Sequence, residues 1–514
     1  MTQAPRIVDL FCGAGGMSRG FEDAGFEVVA AVDIESRFED TFNKNHINPV
    51  FNVADLSGGV PEAIAGKNVD LVIGSPPCQG FSDARGSREE RNDDHRIRNN
   101  LPFDFIRVVE QLRPKIALME NVSGMGTFKQ GGRLLVDVLV EKFGEIGYNA
   151  VYEQVNSANY GVPQERTRVF GLAIRKEYKI APVLNKYDLG GAFSTRGNFL
   201  TVNDALAGLP PPTDDGNCDL ELSGPLPPYV RKMRERCKDT RLYNHVVVER
   251  NTAEEEKILP RLGEGKIFRS SRFGDRYVGV WELYKEQFKD DEIQLLHFLC
   301  RKRTNIEFKQ EVESWKEGYI RPEHFPRDEN GRFSWMEQYP PTGKNENRGP
   351  DEILHGLHER KWLRKKEYTR DGETFVAFDI NTRSGIRPLY LRLSRFLPSR
   401  TIMTTSFRAR ELVHPTEHRA ISLREGARIQ SFPDDFVFHG HARIDITRMI
   451  GNAVPPLMGR EIARYIKVLL ELVEGGKDKE LARTYQHVLK SRRPINTVPS
   501  PERQGTTSLL DFAT

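Results

Sequence analysis

A cysteine held in a rigid loop is the first residue of this sequence that could do chemistry. Cys78 lies in the segment SPPCQGFS, directly after the apolar run VDLVIG. Free cysteines are usually buried structural groups, but a loop stiffened by two prolines and turned by a glycine is a poor place to bury one. A cysteine nucleophile needs an acid or a base beside it. Cys78 therefore predicts catalysis only if such partners follow.

Two later segments supply partners of suitable chemistry. Glu120 stands near the end of the apolar run KIALMEN, and Gln164, Arg166 and Arg168 alternate in QERTR. Alternate residues of a strand point to the same face, so both arginines are expected on one side. A strand-end glutamate and arginines paired with surface carboxylates also occur without any function. Beside a thiol, however, this set suits an anionic or carbonyl-rich substrate.

The elements that must position these residues form a regular pattern over the first 175 residues. Buried parallel strands are predicted at 6–11, 26–33, 69–74, 115–121 and 168–174, and helices near 17–25, 36–44, 101–112 and 130–146. This alternation predicts an α/β fold with a doubly wound, Rossmann-like sheet. Because the carboxyl ends of adjacent parallel strands meet at one edge, Cys78 and Glu120 are expected to face each other.

The pattern changes in the middle of the chain. Residues 185–408 are rich in Pro, Gly and charge and have no sustained period, which predicts an irregular domain inserted into the first. Apolar helical periodicity returns in 409–475, which is expected to complete the domain that begins with 1–184. The polar segment 476–514 is predicted to be a flexible tail.

A glycine-rich turn in VDLFCGAGGMSRGFEDAGF connects the first strand to the first helix. Glycine lets a ligand approach the backbone, and the helix N-terminus offers N–H donors. Alone, such a turn is more often a plain strand–helix connection, but Asp33 follows it by about 20 residues, where a carboxylate binds ribose hydroxyls. No Walker lysine follows, so a nucleoside triphosphate is not expected. Asp55 in VADL could bond the amine of adenine or merely cap a helix.

Composition excludes several classes of protein. No apolar run approaches the roughly 18 residues of a membrane helix, and no leader-like segment begins the chain. The five cysteines lack the paired spacing of zinc sites or redox dithiols, so no metal is expected. These features predict a cytoplasmic protein, and the net charge of +3 does not by itself indicate nucleic acid.

Six separated motifs resemble one known family. They are DLFCGAGG, PPCQGFS, ENV, QERTR, REGARIQSFPDDF and GNAVPP, and their order is that of the C5-cytosine DNA methyltransferases. The resemblance covers roughly 1–180 and 410–465 and does not extend clearly into 185–400. It implies an S-adenosylmethionine-dependent methyltransferase domain of the prokaryotic restriction–modification type, with a target-recognition domain in 185–408.

The resemblance also assigns a role to each catalytic candidate. Cys78 would add to carbon 6 of cytosine, and Glu120 would donate to N3, which requires a buried, protonated carboxyl group. Arg168 would bind the carbonyl-oxygen side of the base, and Arg166 would order the glutamate and the cysteine loop. Carbon 5 would then take the methyl group of S-adenosyl-L-methionine, leaving S-adenosyl-L-homocysteine. The implied cofactor-binding residues are Phe11, Gly13, Gly15, Gly16, Asp33, Ile34, Asp55, Leu56, Pro76 and Asn452.

Local charge supports double-stranded DNA as the partner. Residues 381–410 contain seven arginines and no acid, and residues 229–250 contain seven basic residues against three acidic ones. Basic runs are usually solvated faces, but within the recognition region of this family they are better interpreted as phosphate contacts. The predicted DNA-binding residues are Gln79, Ser82, Arg85, Arg387, Arg392, Arg395, Arg408 and Arg410. The charged loop 83–100 is expected to close over DNA, and a plain surface loop is the alternative.

Two other functions remain open at this point. One branch of the family methylates tRNA, but its recognition region is short, whereas this one is large and basic. A catalytically silent DNA-binding relative would be expected to lack Cys78, Glu120 or the arginine pair, and all are present. The resemblance further implies a monomer associated with the nucleoid, without a membrane, whose functional partners are a cognate restriction endonuclease or defence-system proteins.

Overall fold

The computed structural model describes most of the catalytic motifs. The described residues are 3–48, 50–77, 100–130, 132–182, 184, 199–220, 225–268, 277–278, 292, 350–360, 363–370, 373–380 and 390–475. The predictions made for Cys78, Gln79, Ser82, Arg85, Arg387, nearly all of the loop 83–100 and the tail 476–514 lie outside these residues.

The chain divides into two compact units. The first unit comprises Met1–Val246, Phe396–Thr404 and the chain from Leu423 onward, and the second comprises Val247–Arg395 and Thr405–Ser422. The second unit coincides only in part with the domain predicted at 185–408, because residues up to Val246 and the segment Phe396–Thr404 pack with the first unit. That this region recognises DNA stays a prediction.

Strands of the first unit form one large sheet and several short ladders. Those before the insertion are β1 (Arg6–Leu10), β2 (Glu27–Asp33), β3 (Phe51–Val53), β4 (Leu71–Gly74), β5 (Ile116–Val122), β6 (Lys129–Gln130), β7 (Arg133–Leu134), β8 (Tyr148–Asn156), β9 (Gln164–Glu165), β10 (Thr167–Arg175), β11 (Cys218–Asp219) and β12 (Arg241–Leu242). The second unit contributes β13 (Ile267–Phe268), β14 (Tyr277–Val278), β15 (Leu363–Arg370) and β16 (Glu373–Ile380), and β17 (Ser399–Arg400) returns to the first unit beside β9.

Helices flank the sheet and recur after the insertion. They are α1 (Gly16–Asp23), α2 (Glu39–Asn45), α3 (Leu101–Leu112), α4 (Leu135–Glu145), α5 (Val202–Leu206), α6 (Pro228–Met233), α7 (Ala253–Ile258), α8 (Pro350–Glu359), α9 (Leu423–Ile429), α10 (Arg443–Asn452) and α11 (Pro456–Val473). α11 lies tightly on α1: a side chain at Gly20 would bring its Cβ within 2.4 Å of the Pro456 carbonyl oxygen.

The sheet has seven strands in the order β3-β2-β1-β4-β5-β10-β8. The five strands β3, β2, β1, β4 and β5 pair in parallel with their neighbours, as the α/β interpretation predicts. β10 is antiparallel to both β5 and β8, so the prediction of a parallel strand at 168–174 was wrong. The physical reason is the connection: β8 (148–156), which was not predicted, leads into β10 through a short hairpin-like link instead of a crossover helix.

Apolar side chains on both faces of this sheet explain the run-like sequences of its central strands. All four residues of β4 are buried, and so are six of the seven in β5. Strands buried on both faces lose the alternation of a half-exposed strand and become continuous apolar runs. Phe105 of α3 and Phe143 of α4 pack into the same core. The carboxyl ends of the parallel strands are thereby held on a rigid frame.

Candidate active site

The carboxyl ends of β1, β2, β4 and β5 form one edge of the sheet, here called the strand-end edge. Leu10 pairs with Gly74, and Gly74 pairs with Met119. The residues that follow each pair are therefore neighbours: the glycine turn after β1, the segment Ser75–Pro77 after β4, and Glu120 near the end of β5. The predicted site is brought together here as far as the described residues reach, which is Pro77, one residue before Cys78.

Glu120 and Arg168 form a buried ion pair at this edge. Arg168 Nε lies 3.1 Å from Glu120 Oε1, and Glu120 is only 6% exposed. Burial raises the pKa of Glu120, while the charges of Arg168 and Arg166 and a hydrogen bond with Ser75 act in the opposite direction. A carboxyl group with a raised pKa is able to hold a proton that a surface glutamate would lose.

The segment after β4 is tied to the same strand. Asn121 Nδ2 donates a hydrogen bond of 3.0 Å to the Pro76 carbonyl oxygen. Together with the hydrogen bond between Ser75 and Glu120, it anchors the residues that lead into Cys78. Pro76, predicted to bind cofactor, is itself buried, with its carbonyl oxygen on Asn121.

Arg166 is placed differently from Arg168. Its guanidinium is 1% exposed and donates to the carbonyl oxygens of Ile402 at 2.9 Å and Gly451 at 3.0 Å. Within the described part of the chain it forms no hydrogen bond with a carboxylate, although its charge acts on Glu120. That Arg166 orders the glutamate and the cysteine loop stays a prediction.

The glycine turn has the backbone shape expected for a ligand cradle. Gly15 has φ of +85°, which an L side chain rarely adopts, and its N–H donates to the Cys12 carbonyl oxygen at 2.9 Å. α1 begins at Gly16 with no side-chain cap on its first N–H groups. A Cβ at Gly16 would lie 2.5 Å from the Val454 carbonyl oxygen. The turn is thus packed from behind by the segment that follows Asn452.

Asp33 stabilises this turn by hydrogen bonds to backbone N–H groups. Its Oδ2 accepts a hydrogen bond of 2.9 Å from the Gly13 N–H, and its Oδ1 accepts one of 2.9 Å from Glu35 N–H. Burial raises the pKa of Asp33. Each carboxylate oxygen has two lone pairs, so both retain capacity to accept from a ligand hydroxyl.

The other predicted cofactor residues are spread around the same edge. Asp55 caps the 3₁₀ turn Leu56–Gly58 by accepting from Ser57 N–H at 2.8 Å, which is the cap interpretation that the sequence left open. Leu56 is buried in the core, whereas Ile34 is 63% exposed. Asn452 ends α10 and is exposed, and Phe11 is half-buried with φ of +56°.

Sequence reasoning missed a buried carboxyl group beneath the turn. Asp9 is 1% exposed; its Oδ2 accepts a 2.6 Å hydrogen bond from Ser18 Oγ, and its Oδ1 has no hydrogen-bond partner among the described residues. Burial, reinforced by the charge of Asp33, raises its pKa to about 7 against the hydrogen bond from Ser18. Its place inside an apolar strand was the available signal, since aspartate is rarely fully buried without a partner.

The predicted DNA-binding arginines of the second unit are of two kinds. Arg395 and Arg410 are exposed, and Arg408 is half-buried. Arg395 pairs with Glu264 at 3.3 Å and Arg408 with Glu249 at 3.1 Å.

Arg392 is a correction to the prediction. It is 2% exposed. Its guanidinium donates to backbone carbonyl oxygens of Leu259, Leu262, His414 and Glu417. A guanidinium that is buried and hydrogen-bonded to four carbonyl oxygens is not available to a phosphate. Arg392 is therefore structural.

Two searches restricted to the described residues complete the inventory. They contain no cluster of three or more His, Cys, Asp or Glu side chains arranged to hold a metal ion. None of their helices is long and apolar enough to cross a membrane.

Known proteins are similar to this chain in sequence and in fold. The chain matches the profile of the C-5 cytosine-specific DNA methylases over residues 5–468. It is 31% identical over 496 residues to the type II methyltransferase M.AgeI of Thalassovita gelatinovora, covering 90% of this chain and 100% of that one. It is 26% identical over 477 residues to the type II methyltransferase M.DdeI of Desulfomicrobium norvegicum, covering 90% and 89%.

A solved structure shares the fold. A DNA modification methyltransferase encoded within an E. coli prophage superposes with a TM-score of 0.56 at 20% identity, covering 91% of this chain and 100% of that one. The match of the family profile to nearly the whole chain, and the motifs gathered at the strand-end edge, carry the assignment. The chain belongs to the C-5 cytosine-specific DNA methylase family and is a DNA methyltransferase whose methyl donor is S-adenosylmethionine.

Proposed function

We propose that this enzyme methylates carbon 5 of a cytosine flipped out of one short duplex DNA sequence, through a covalent bond between Cys78 and carbon 6. The observation that carries the proposal is the buried pair of Glu120 and Arg168 beside the anchored segment that leads into Cys78. This pair offers a proton and a cation to one small, neutral, carbonyl-bearing ring.

The reaction places a definite demand on each residue. Carbon 5 of cytosine is a poor nucleophile until the Cys78 sulfur adds to carbon 6 and the electrons of the 5,6 double bond move toward carbon 5. Glu120, whose pKa burial raises, donates a proton to N3 and relieves the charge. Arg168 binds the adjacent carbonyl oxygen. After methyl transfer, a base such as water takes the carbon 5 proton, the 5,6 double bond re-forms as Cys78 leaves as the thiolate, and N3 returns its proton to Glu120.

The described thiols elsewhere in the chain support Cys78 by contrast. Burial raises the pKa of the Cys12 and Cys218 thiols, and it raises that of Cys237 to about 11. Because the thiolate is the nucleophile, these three are poor candidates for the addition. Cys78 directly follows the anchored segment Ser75–Pro77 in the sequence and is the better candidate.

The residues present fit S-adenosylmethionine. The uncapped N-terminus of α1 and the lone pairs of Asp33 suit the polar parts of a nucleoside, and the exposed Ile34 suits an adenine face. Phe11, Gly13 and Gly15 would line the turn, Asp55 would meet adenine, and Asn452 would lie at the methionine end. When bound, the cofactor supplies an electrophilic methyl group and leaves as S-adenosylhomocysteine.

Duplex DNA requires base flipping in this chemistry. A stacked cytosine cannot be approached from the face that the cysteine must attack, so the base is extruded into the pocket. Arg395, Arg408 and Arg410 would contact phosphates from the second unit; their present carboxylate partners are exposed or half-buried and exchangeable. We further propose that the enzyme is a monomer that acts on chromosomal DNA in a prokaryotic cytoplasm.

A restriction–modification role is the favoured biological setting. M.AgeI and M.DdeI, both named as type II methyltransferases, align with about nine-tenths of this chain. The functional partner would be a cognate endonuclease or another phage-defence protein that spares the methylated sequence.

The proposal is tested by methylation sequencing of DNA from a host without its own cytosine methylation. The host expresses the wild type, Cys78→Ser or Cys78→Ala. Methylcytosine at one short recurring sequence, present only with the wild type, is the expected result. If the folded wild type methylates tRNA and leaves DNA unmodified, the DNA proposal is wrong and the RNA branch is the correct function.

A further inference from the structure

Arg166 sits in a buried polar junction that joins four parts of the first unit. The junction comprises Gln164, Arg166, Ile402, Gln430 and Gly451, and all are fully or almost fully buried. Gln164 Oε1 accepts from Ile402 N–H at 2.7 Å, and Arg166 donates to the carbonyl oxygen of the same residue. Both backbone groups of Ile402 are therefore held by Gln164 and Arg166, which come just before the strand that carries Arg168.

The same junction also holds the end of α10 by hydrogen bonds. Arg166 Nη2 donates to the Gly451 carbonyl oxygen at 3.0 Å, and Gln430 Nε2 donates to the Ile450 carbonyl oxygen at 2.7 Å. Gln164 Nε2 donates to Gln430 Oε1 at 2.7 Å. This hydrogen bond connects the two side chains beside the Ile402 and Ile450 backbone groups. The last carbonyls of a helix lack intrahelical partners, so these bonds determine where the helix end lies.

No side chain would fit at the centre of the junction. A Cβ at Gly451 would lie 2.4 Å from Thr404 N and 2.6 Å from the Met403 carbonyl carbon. The end of α10 and the segment Ile402–Thr404 are therefore in direct backbone contact, and a displacement of one moves the other.

The helix end held by Arg166 in turn packs against the glycine turn. The segment after Asn452 lies behind Gly16, where a Cβ would come within 2.5 Å of the Val454 carbonyl oxygen and 3.2 Å of Ala453 Cβ. A continuous path of contacts thus leads from Arg166 through Gly451 to the turn proposed to bind the cofactor.

We infer that Arg166 is a positioning residue for the cofactor side of the site and not a second base-binding group beside Arg168. Its two bonds fix the helix end that supports the glycine turn and presents Asn452. This inference rests on the proposed function, because it takes the turn to be the cofactor site. Loss of the bonds should loosen cofactor binding and leave the chemistry of the Glu120 and Arg168 pair largely intact.

The test separates cofactor affinity from turnover in the full chain. Arg166→Lys keeps the charge but cannot reach both carbonyls, so calorimetry with S-adenosylhomocysteine should show binding weakened about tenfold. The turnover number at saturating S-adenosylmethionine should fall no more than about threefold. Arg168→Lys should show the reverse, with unchanged affinity and turnover lower by roughly 100-fold.

Two further variants guard against a general loss of folding. Arg392→Lys removes a fork of hydrogen bonds to carbonyls in the second unit; it should lower the melting temperature as Arg166→Lys does without changing S-adenosylhomocysteine affinity. Gln430→Met releases the Ile450 carbonyl without touching Arg166, so it should also weaken the cofactor. If Arg166→Lys does not fold, the S-adenosylhomocysteine affinity of Gln430→Met tests the inference in its place.

The outcomes distinguish this inference from the proposed function. Normal S-adenosylhomocysteine affinity in both Arg166→Lys and Gln430→Met, with turnover lost in Arg166→Lys as in Arg168→Lys, would overturn the inference and favour the predicted role of Arg166 in ordering Glu120 and the cysteine loop. Equal weakening by Arg392→Lys would also overturn it. A wild type that does not bind S-adenosylhomocysteine would instead refute the cofactor site itself.

Discussion

The two units place a buried arginine against different partners. In the first unit Arg168 faces the carboxyl group of Glu120 at the end of a strand. In the second unit the partners of Arg392 among the described residues are backbone carbonyls and His418. The first arrangement couples a cation to a group that can gain or lose a proton, so it can take part in chemistry. The second satisfies carbonyls that would otherwise be buried without partners, so it stabilises an irregular fold.

This difference follows from the architecture around each arginine. A strand inside a packed sheet has its neighbours set by register, so a polar residue at its end meets the polar ends of adjacent strands. Around Arg392 the second unit has short elements, such as α7 and β13, and the loops there need side chains to satisfy their carbonyls. Arginine, with five donors in a planar fork, is well suited to that purpose.

The largest effect is expected from the ion pair of the first unit. Glu120→Gln removes the proton that N3 would receive, and general-acid contributions of this kind predict a turnover lower by roughly 1,000-fold. The activity of the wild type should also decline toward alkaline pH, as Glu120, whose pKa burial raises, loses its proton. In the variant that decline should be absent. Both follow from rates of methyl transfer to DNA measured across pH.

A carboxyl group on the neighbouring strand provides the control for this variant. Glu153 of β8 pairs with Phe170, the residue that also pairs with Glu120 from the other side of β10. Glu153→Gln should retain activity within about twofold, since β10 separates β8 from β5, the strand of Glu120. Equal loss in both variants would mean that Glu120 acts through the sheet and not on the substrate.

A second prediction concerns the cost of burying carboxyl groups at this edge. The pKa of Asp9 rises from 3.8 to about 7 on folding, so the folded chain keeps a proton that the unfolded chain loses. The free energy of unfolding should therefore fall as pH rises from about 4 to about 7, by about 4 kcal/mol at most for this group. Asp9→Asn keeps an acceptor for Ser18 and should remove most of that slope.

Urea unfolding at pH 5 and pH 8 measures the effect. The stability of the variant relative to the wild type should increase from pH 5 to pH 8, with a smaller slope remaining in the variant from Asp33, whose pKa is also raised. An unchanged slope in the variant would show that Asp9 is ionised in the folded protein at neutral pH.

A third prediction sharpens the role of Arg392. Arg392→Met leaves four carbonyl oxygens without their donor, and a loss of roughly 3 kcal/mol in the free energy of unfolding is expected. The exposed Arg395→Met should lose less than about 1 kcal/mol. Thermal unfolding of the two variants makes the comparison. Similar stabilities would show that water replaces the guanidinium around these carbonyls.

The regular part of the sequence predicted the first unit well. The parallel strands, the glycine turn and the position of Glu120 and Asp33 follow from apolar runs and from the rule that adjacent strand ends share an edge. The direction of β10 was missed because an apolar run does not state which way its strand points. Asp9 was missed although its place within such a run signalled burial, because the run alone does not show which groups surround the carboxyl group.

Long-range partners were the main limit at the site. Alternation placed Arg166 and Arg168 on one face but could not reveal that Ile402 and Gly451, more than two hundred residues away, would take up Arg166. In the second unit, the arginine-rich sequence correctly predicted a positively charged segment. It could not separate Arg392 from Arg395, because exposure in an irregular segment depends on the loops that cover it.

The smallest expected effect concerns the exposed arginines of the second unit. If Arg395 contacts a phosphate, Arg395→Ala should weaken binding to all duplexes alike and reduce the slope of log affinity against log salt by about 1. The loss should be a few-fold at moderate salt, because the residue must first leave Glu264. Arg392→Met, in contrast, should leave the salt slope unchanged in protein that remains folded. A loss confined to one sequence would instead make Arg395 a base-reading residue, since phosphate contacts carry no sequence information.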